Sequence, residues 1–155
     1  MIYLAMLILL GGCATGGHVA PATTTVAPAE MSPPGLAEVR ALAEKAGRAY
    51  GMPAPAIMVA DHAGDATFGA VYRRGVITFT ARALAGPNRD KIAAHEIAHY
   101  VLRHDLPGMR TQEEKEHAAN IEAVRILQLA GRSEEQATRE VLAALDRTRQ
   151  AVGRG

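Results

Sequence analysis

The chain has one cysteine, no tryptophan, two Phe and four Tyr in 155 residues. A single thiol excludes an intramolecular disulfide and a cysteine-rich zinc site. The shortage of aromatics leaves any core to Ala, Leu, Ile and Val. Neither sign of charge dominates, with 17 Lys and Arg against 16 Asp and Glu. The strongly basic patch expected of a nucleic-acid-binding protein is therefore missing. No apolar run reaches the ~20 residues that a membrane-spanning helix needs. No internal repeat is visible. What is present, 48% apolar and 21% charged residues, is the balance of a globular protein, and the length suits one domain.

Met1 to Leu10 is an unbroken apolar run that ends in Gly11-Gly12-Cys13. Its length suits the apolar region of a secretory signal. Leu10-Gly11-Gly12-Cys13 resembles a bacterial lipobox, in which small residues precede a cysteine that receives the lipid. Residues 1–12 read as a signal peptide and Cys13 as the lipidation site, although no Lys or Arg opens the segment. From Ala14 to Pro34, 16 of 21 residues are Ala, Thr, Gly, Pro or Ser. Such a stretch cannot bury enough surface to offset its ordering entropy, so 13–35 reads as a tether with a reach of about 25 Å. Ala14 after the cysteine, by resemblance to bacterial lipoproteins, implies the outer membrane, facing the periplasm.

The folded domain is expected over 36–152. Leu36, Val39, Leu42, Ala43, Ala46 and Tyr50 recur at helical spacing, and Gly51 with Pro53 ends the pattern. Ala56 to Ala60 is a short strand candidate. Thr67 to Tyr72 and Val76 to Thr80 read as strands joined across Arg73-Arg74-Gly75, with Ile77 and Phe79 on a buried face. A helix is expected from Asn88, as N-cap, to His104. Thr111 with Glu114, and Ser133 with Gln136, make capping boxes for two further helices, the first closed by Gly131. Helix, small sheet, then three helices is an α+β arrangement.

The informative stretch is His95-Glu96-Ile97-Ala98-His99. Histidines four apart on a helix share a face, so both imidazoles can reach one Zn²⁺, and Glu96 can lie beside a water at the metal. Composition alone predicts roughly 0.02 such matches by chance in a chain of this make-up. A second segment strengthens the reading. Glu116 and Asn120 are four apart on the next helix, and Ala119 and Ala123 are small enough to let it approach. Glu116 can supply a third ligand, and Asn120 can hold the second nitrogen of a ligand histidine. Three protein ligands with an open position is the catalytic form of a zinc site. His104, nine residues from His95, is half a turn out of phase and is expected to face elsewhere. His117 reads as a surface residue. Tyr72, Tyr100 and Arg125 are candidates to stabilise an oxyanion, though packing or surface charge is the simpler role of each, and Arg73 and Arg74 read as turn residues.

HEIAHYVLRH followed by EHAANIEAVRILQLAG resembles the gluzincin metallopeptidases, in particular the HtpX-like and CAAX-prenyl-protease group. The resemblance covers about Val76 to Gly131. It implies a minimal zincin-like domain with one Zn²⁺ on His95, His99 and Glu116, and Glu96 as the catalytic acid and base. Asn120 stands where that group usually has Asp. Only 16 residues separate His99 from Glu116, a compact spacing also similar to the ImmA/IrrE-type peptidases. A metzincin is excluded, because Leu102 and Asp105 stand where its glycine and third histidine would be.

The expected function is zinc-dependent hydrolysis of peptide bonds in envelope proteins, with a water activated at the metal by Glu96. The substrate backbone is expected to extend along the strand of Val76, Ile77, Thr78, Phe79 and Thr80. The competing reading is a zinc-containing lipoprotein that binds an envelope protein partner without cleaving it. Glu96 speaks against this, since a structural zinc needs no carboxylate there. A third reading, a metal-free interaction domain, requires both motif pairs to be accidents. The Pro and Gly of Arg103 to Arg110 mark that segment as the covering loop.

Overall fold

The computed structural model describes residues 32–61, 69–108 and 111–152. Within them lie helix α1 (Leu36–Ala49), strands β1 (Ala56–Ala60), β2 (Ala70–Arg73) and β3 (Val76–Thr80), and helices α2 (Ala81–Ala85), α3 (Arg89–Val101), α4 (Gln112–Leu129) and α5 (Glu134–Val152). The architecture is α+β, as the residue pattern implies. Cys13, the expected signal and most of the expected tether lie outside the described residues. Among those described, no helix is long and apolar enough to cross a membrane.

The fold starts earlier than composition suggests. Gly35, assigned to the tether by its neighbours, is the N-cap of α1 at φ 84, a conformation that L side chains rarely adopt. A Cβ there would lie 2.4 Å from the Leu84 carbonyl oxygen. Gly35→Ala is therefore expected to destabilise the domain by about 1–3 kcal/mol, read from urea unfolding against the parent chain.

β3 is the middle strand, parallel to β1 and antiparallel to β2. Arg74 (φ 48) and Gly75 (φ 82) form the two-residue turn between β2 and β3, both with the positive φ that a twisted hairpin demands. Ile77 and Phe79 are fully buried, while Val76, Thr78 and Thr80 are half-buried, which bears out the alternation in VITFT. The expected strand from Thr67 begins at Ala70 in the described residues, since 67–68 lie outside them.

α2 was not legible in the sequence, because five residues show no helical period. It forms as β3 ends: Thr80 caps it, its hydroxyl accepting from the Ala83 N–H at 3.1 Å. Asn88 does occupy the N-cap position of α3, but its side chain makes no capping bond and accepts instead from Lys91 Nζ at 3.4 Å. The capping box of α4 is complete, with Thr111 accepting from the Glu114 N–H and Glu114 accepting from the Thr111 N–H. Only half of the second box forms. Ser133 Oγ accepts from the Gln136 N–H, while the Gln136 side chain donates to Glu140.

The core joins α1, β3, α2, α3 and α4 through Val39, Phe79, Leu84, Ile97, Ile126 and Leu127. α3 packs on α4, α1 and β2. Ala94 and Ala98 of α3, and Ala119 and Ala123 of α4, are buried and small, so the two helix axes can approach closely. One buried carboxylate ties α1 to α4: Glu122 accepts from the Tyr50 hydroxyl and from Arg125 Nη1. Burial, with Glu122 beside it, pushes the Tyr50 pKa up.

Candidate metal centre

α3 carries His95, Glu96 and His99. One turn of helix separates the two histidines, whose ring centroids are 4.8 Å apart and whose Nε2 atoms are 3.1 Å apart. The capping box sets where α4 begins, and Glu116 falls on its second turn. Glu116 Oε2 is 3.1 Å from His95 Nε2, and Oε1 is 3.5 Å from His99 Nε2. An ion held tetrahedrally by bonds of about 2.0–2.1 Å separates its ligand atoms by about 3.3–3.4 Å. The contacts, 3.1 Å between the two Nε2 atoms and 3.1 and 3.5 Å from them to the two different oxygens of Glu116, are near that size, and one ligand atom from each residue lies within 4.8 Å of the others. His95, His99 and Glu116 thus form a group able to hold a metal ion, as their spacing implies.

The surrounding bonds orient these side chains. Asn120, one turn beyond Glu116, places Oδ1 3.1 Å from His95 Nδ1. With Nδ1–H donating to that oxygen, the Nε2 lone pair of His95 is left for a metal. Gln112 Nε2 donates to Glu116 Oε1 at 2.7 Å. Without an ion, burial opposes the charged form of His95, but the Glu116 hydrogen bond and the charges of Glu96 and Glu116 prevail and raise its pKa. The hydrogen bonds from His95 and His99 hold the Glu116 carboxyl well below its usual range.

Glu96 is not one of the three. It is only 8% exposed, and burial pushes its pKa up against the opposing charges of His95 and His99. The backbone amide of Tyr72 on β2 donates to it and favours the ionised form. Glu96 therefore lies between the histidine pair and the sheet edge.

No family model, curated protein or solved structure matches this chain.

A groove of about 610 Å³ opens over the site, the size of an ordinary ligand cleft. Its walls are β2, the α3 face bearing His95, Glu96 and His99, the residues His104 and Asp105, and the start of α4. This corrects the expectation that a substrate would add to Val76–Thr80. β3 is paired on both sides, by β1 and β2, so it has no backbone groups left to offer. The strand of the sheet that borders the groove is β2, Ala70–Arg73.

The structure also ranks the oxyanion candidates. Tyr72 lines the groove, and burial together with Asp105 pushes its pKa up to about 12, so its hydroxyl stays protonated. Tyr100 donates to the Pro53 carbonyl at 2.8 Å, and Arg125 pairs with Glu122. Neither of those two lines this groove. Arg74 is a turn residue, as expected, whereas Arg73 is the last residue of β2 and pairs with Val76; both border the groove. His117 is exposed, as expected. Of Arg103–Arg110, His104 and Asp105 border the groove, and 109–110 lie outside the described residues.

His104 is the residue that sequence reasoning misplaced. A helix continued to 104 would point it away, but α3 ends at Val101. Arg103 takes φ 54, and the His104 and Arg103 amides donate to the His99 and Tyr100 carbonyls, each at 3.0 Å. This helix-ending pattern folds residue 104 back beside residue 99, so His104 Nδ1 lies 2.9 Å from His99 Nδ1. The usual sequence signal is a glycine in the left-handed position. Gly51 and Gly131 mark the ends of α1 and α4 in that way, whereas here an arginine takes the place.

Proposed function

We propose that this chain is a zinc-dependent peptidase, with His95, His99 and Glu116 as the metal ligands and Glu96 as the catalytic acid and base. The observation that carries the reading is the cluster of two Nε2 atoms and a carboxylate, in contact at 3.1–3.5 Å, with a second, buried carboxylate next to it at the groove floor. Two neutral imidazoles and one carboxylate are a donor set that suits zinc and leaves a position open. When bound, the ion supplies Lewis acidity toward a peptide carbonyl and toward water.

The chain's own residues supply the rest. A peptide lies in the groove beside the edge of β2 (Ala70–Arg73), in the manner of an added strand. Glu96 takes the proton of the attacking water onto its carboxylate and delivers it to the leaving amine nitrogen. Its burial disfavours the charged form, which makes it a readier proton acceptor than an exposed glutamate. Tyr72, kept protonated at the groove wall, can turn its hydroxyl from the Asp105 carboxylate to donate to the developing oxyanion. The resemblance of HEIAHYVLRH and EHAANIEAVRILQLAG to gluzincins supports this reading, with the HtpX-like group first and the ImmA/IrrE type second. The lipobox-like segment at Cys13 supports an envelope location, lipid-anchored and facing the periplasm, and envelope proteins as the substrate class.

The test is metal content and turnover together. Purified chain is expected to hold about one zinc by elemental analysis and to cleave an unfolded protein, with loss of cleavage on chelation and return on adding zinc. Folded chain that takes up no zinc on titration would retire the reading.

A further inference from the structure

We propose that His104 is a positioning residue for the metal centre: its Nδ1 accepts the Nδ1–H of His99 and so presents His99 Nε2 to the ion. The proposal rests on reading the site as a metal centre and adds a residue that no motif in the sequence points to.

A histidine that binds metal through Nε2 must carry its proton on Nδ1, and that N–H needs an acceptor to hold the ring. For His95 the acceptor is Asn120 Oδ1. For His99 the atom at the equivalent place is His104 Nδ1, at 2.9 Å, with the two rings inclined at 74° and their centroids 4.9 Å apart. Two ring nitrogens at that distance share one proton, so one donates and the other accepts. With His99 Nε2 committed to an ion, His99 must be the donor. His104 then accepts through Nδ1 and carries its own proton on Nε2, as a neutral ring.

The backbone makes this arrangement stiff. The His104 N–H is bonded to the His99 carbonyl, so residues 99 and 104 are joined through both main chain and side chain. From α4, Lys115 Nζ donates to the His104 carbonyl at 2.7 Å. Lys115 adjoins Glu116, so the helix that brings the third ligand also fastens the turn that carries His104. At 9% exposure the His104 ring is largely shielded from water, which strengthens its bond to His99. Both outer acceptors, Asn120 and His104, are uncharged. Each holds its histidine in place while adding less basicity than a carboxylate would.

The test compares the parent chain with His104→Phe, which keeps a ring of similar shape, and His104→Asn, whose Oδ1 can accept near the same point. Zinc affinity is measured by competition with a chromogenic chelator, and the ring tautomers of the zinc-loaded parent are read by ¹H–¹⁵N NMR. His104→Phe is expected to bind zinc about 10–100-fold more weakly, with His104→Asn within a few-fold of the parent. Zinc-free unfolding of the Phe variant is expected to match the parent, which separates lost orientation from lost folding. The tautomer reading is expected to find the proton on His99 Nδ1 and on His104 Nε2. Parent-like zinc affinity in the Phe variant would overturn the proposal, as would equal weakening in both variants. If the Phe variant does not fold, the parent tautomers decide, and a proton on His104 Nδ1 sinks the idea. A parent chain that binds no zinc would remove the metal centre itself. That result differs from a parent that binds zinc with or without His104.

Discussion

Glu96→Gln is expected to lower peptide turnover about 10²–10⁴-fold while zinc content stays at about one per chain. The size follows from what the substitution removes. Gln has nearly the shape of Glu but cannot take a proton from water at neutral pH. The histidine pair and Glu116 do not depend on it, because their mutual contacts involve no Glu96 atom. Nor should folding suffer. Glu96 is buried with its pKa raised, and a neutral amide at that position removes the desolvation burden of a buried charge. The assay is initial rate on an unfolded protein substrate, run beside elemental analysis on the same samples. Unchanged turnover in the variant would end the proposed role of Glu96. Zinc retained in a parent chain that shows no hydrolysis would favour the competing reading, a binding module with a structural ion.

Glu116→Ala is expected to weaken zinc binding by about 10²–10³-fold. Apparent zinc-binding energies of about 10–16 kcal/mol at four-ligand structural sites, divided over the ligands, assign each about 2.5–4 kcal/mol. The variant loses the one anionic ligand and leaves two imidazole nitrogens 3.1 Å apart with nothing between them but each other. The consequence extends to stability. An ion bound only by the folded state adds about 2.7 kcal/mol when present at a hundred times its dissociation constant. The parent chain should therefore melt at a higher temperature with zinc than with chelator, and the variant should show almost no difference. Equal zinc-dependent shifts in the two proteins would remove Glu116 from the ligand set. The Glu116 side chain is partly exposed, so the truncation itself should disturb packing little.

The two motif segments were legible because helical spacing is a local property. His95 and His99, like Glu116 and Asn120, sit four apart, and that alone puts each pair on one face. The capping box at Thr111 and Glu114 is equally local, and it fixes the start of α4 and so the turn on which Glu116 falls. The alternation of Ile77 and Phe79 was legible for the same reason, as a repeat over neighbouring residues. Gly35 was not. Its neighbours are those of a tether, and what demands a glycine there is the Leu84 carbonyl, which is 49 residues away in the chain.

Residue spacing alone dictates which side chains can share a helix face: His95 with His99, and Glu116 with Asn120. It also dictates an α+β order of elements with a small buried sheet face. Which strand borders the groove is a matter of long-range packing. Strand order depends on contacts between distant segments, and β3 turned out to lie between β1 and β2. The direction of His104 is likewise set by packing. The sequence carries an arginine in the left-handed position that ends α3, and no local rule distinguishes that from one more turn of helix. What selects the turn is the environment around it: the ring of His99, the carbonyls that α3 leaves open, and Lys115 reaching across from α4. Those groups meet only after the two helices have packed.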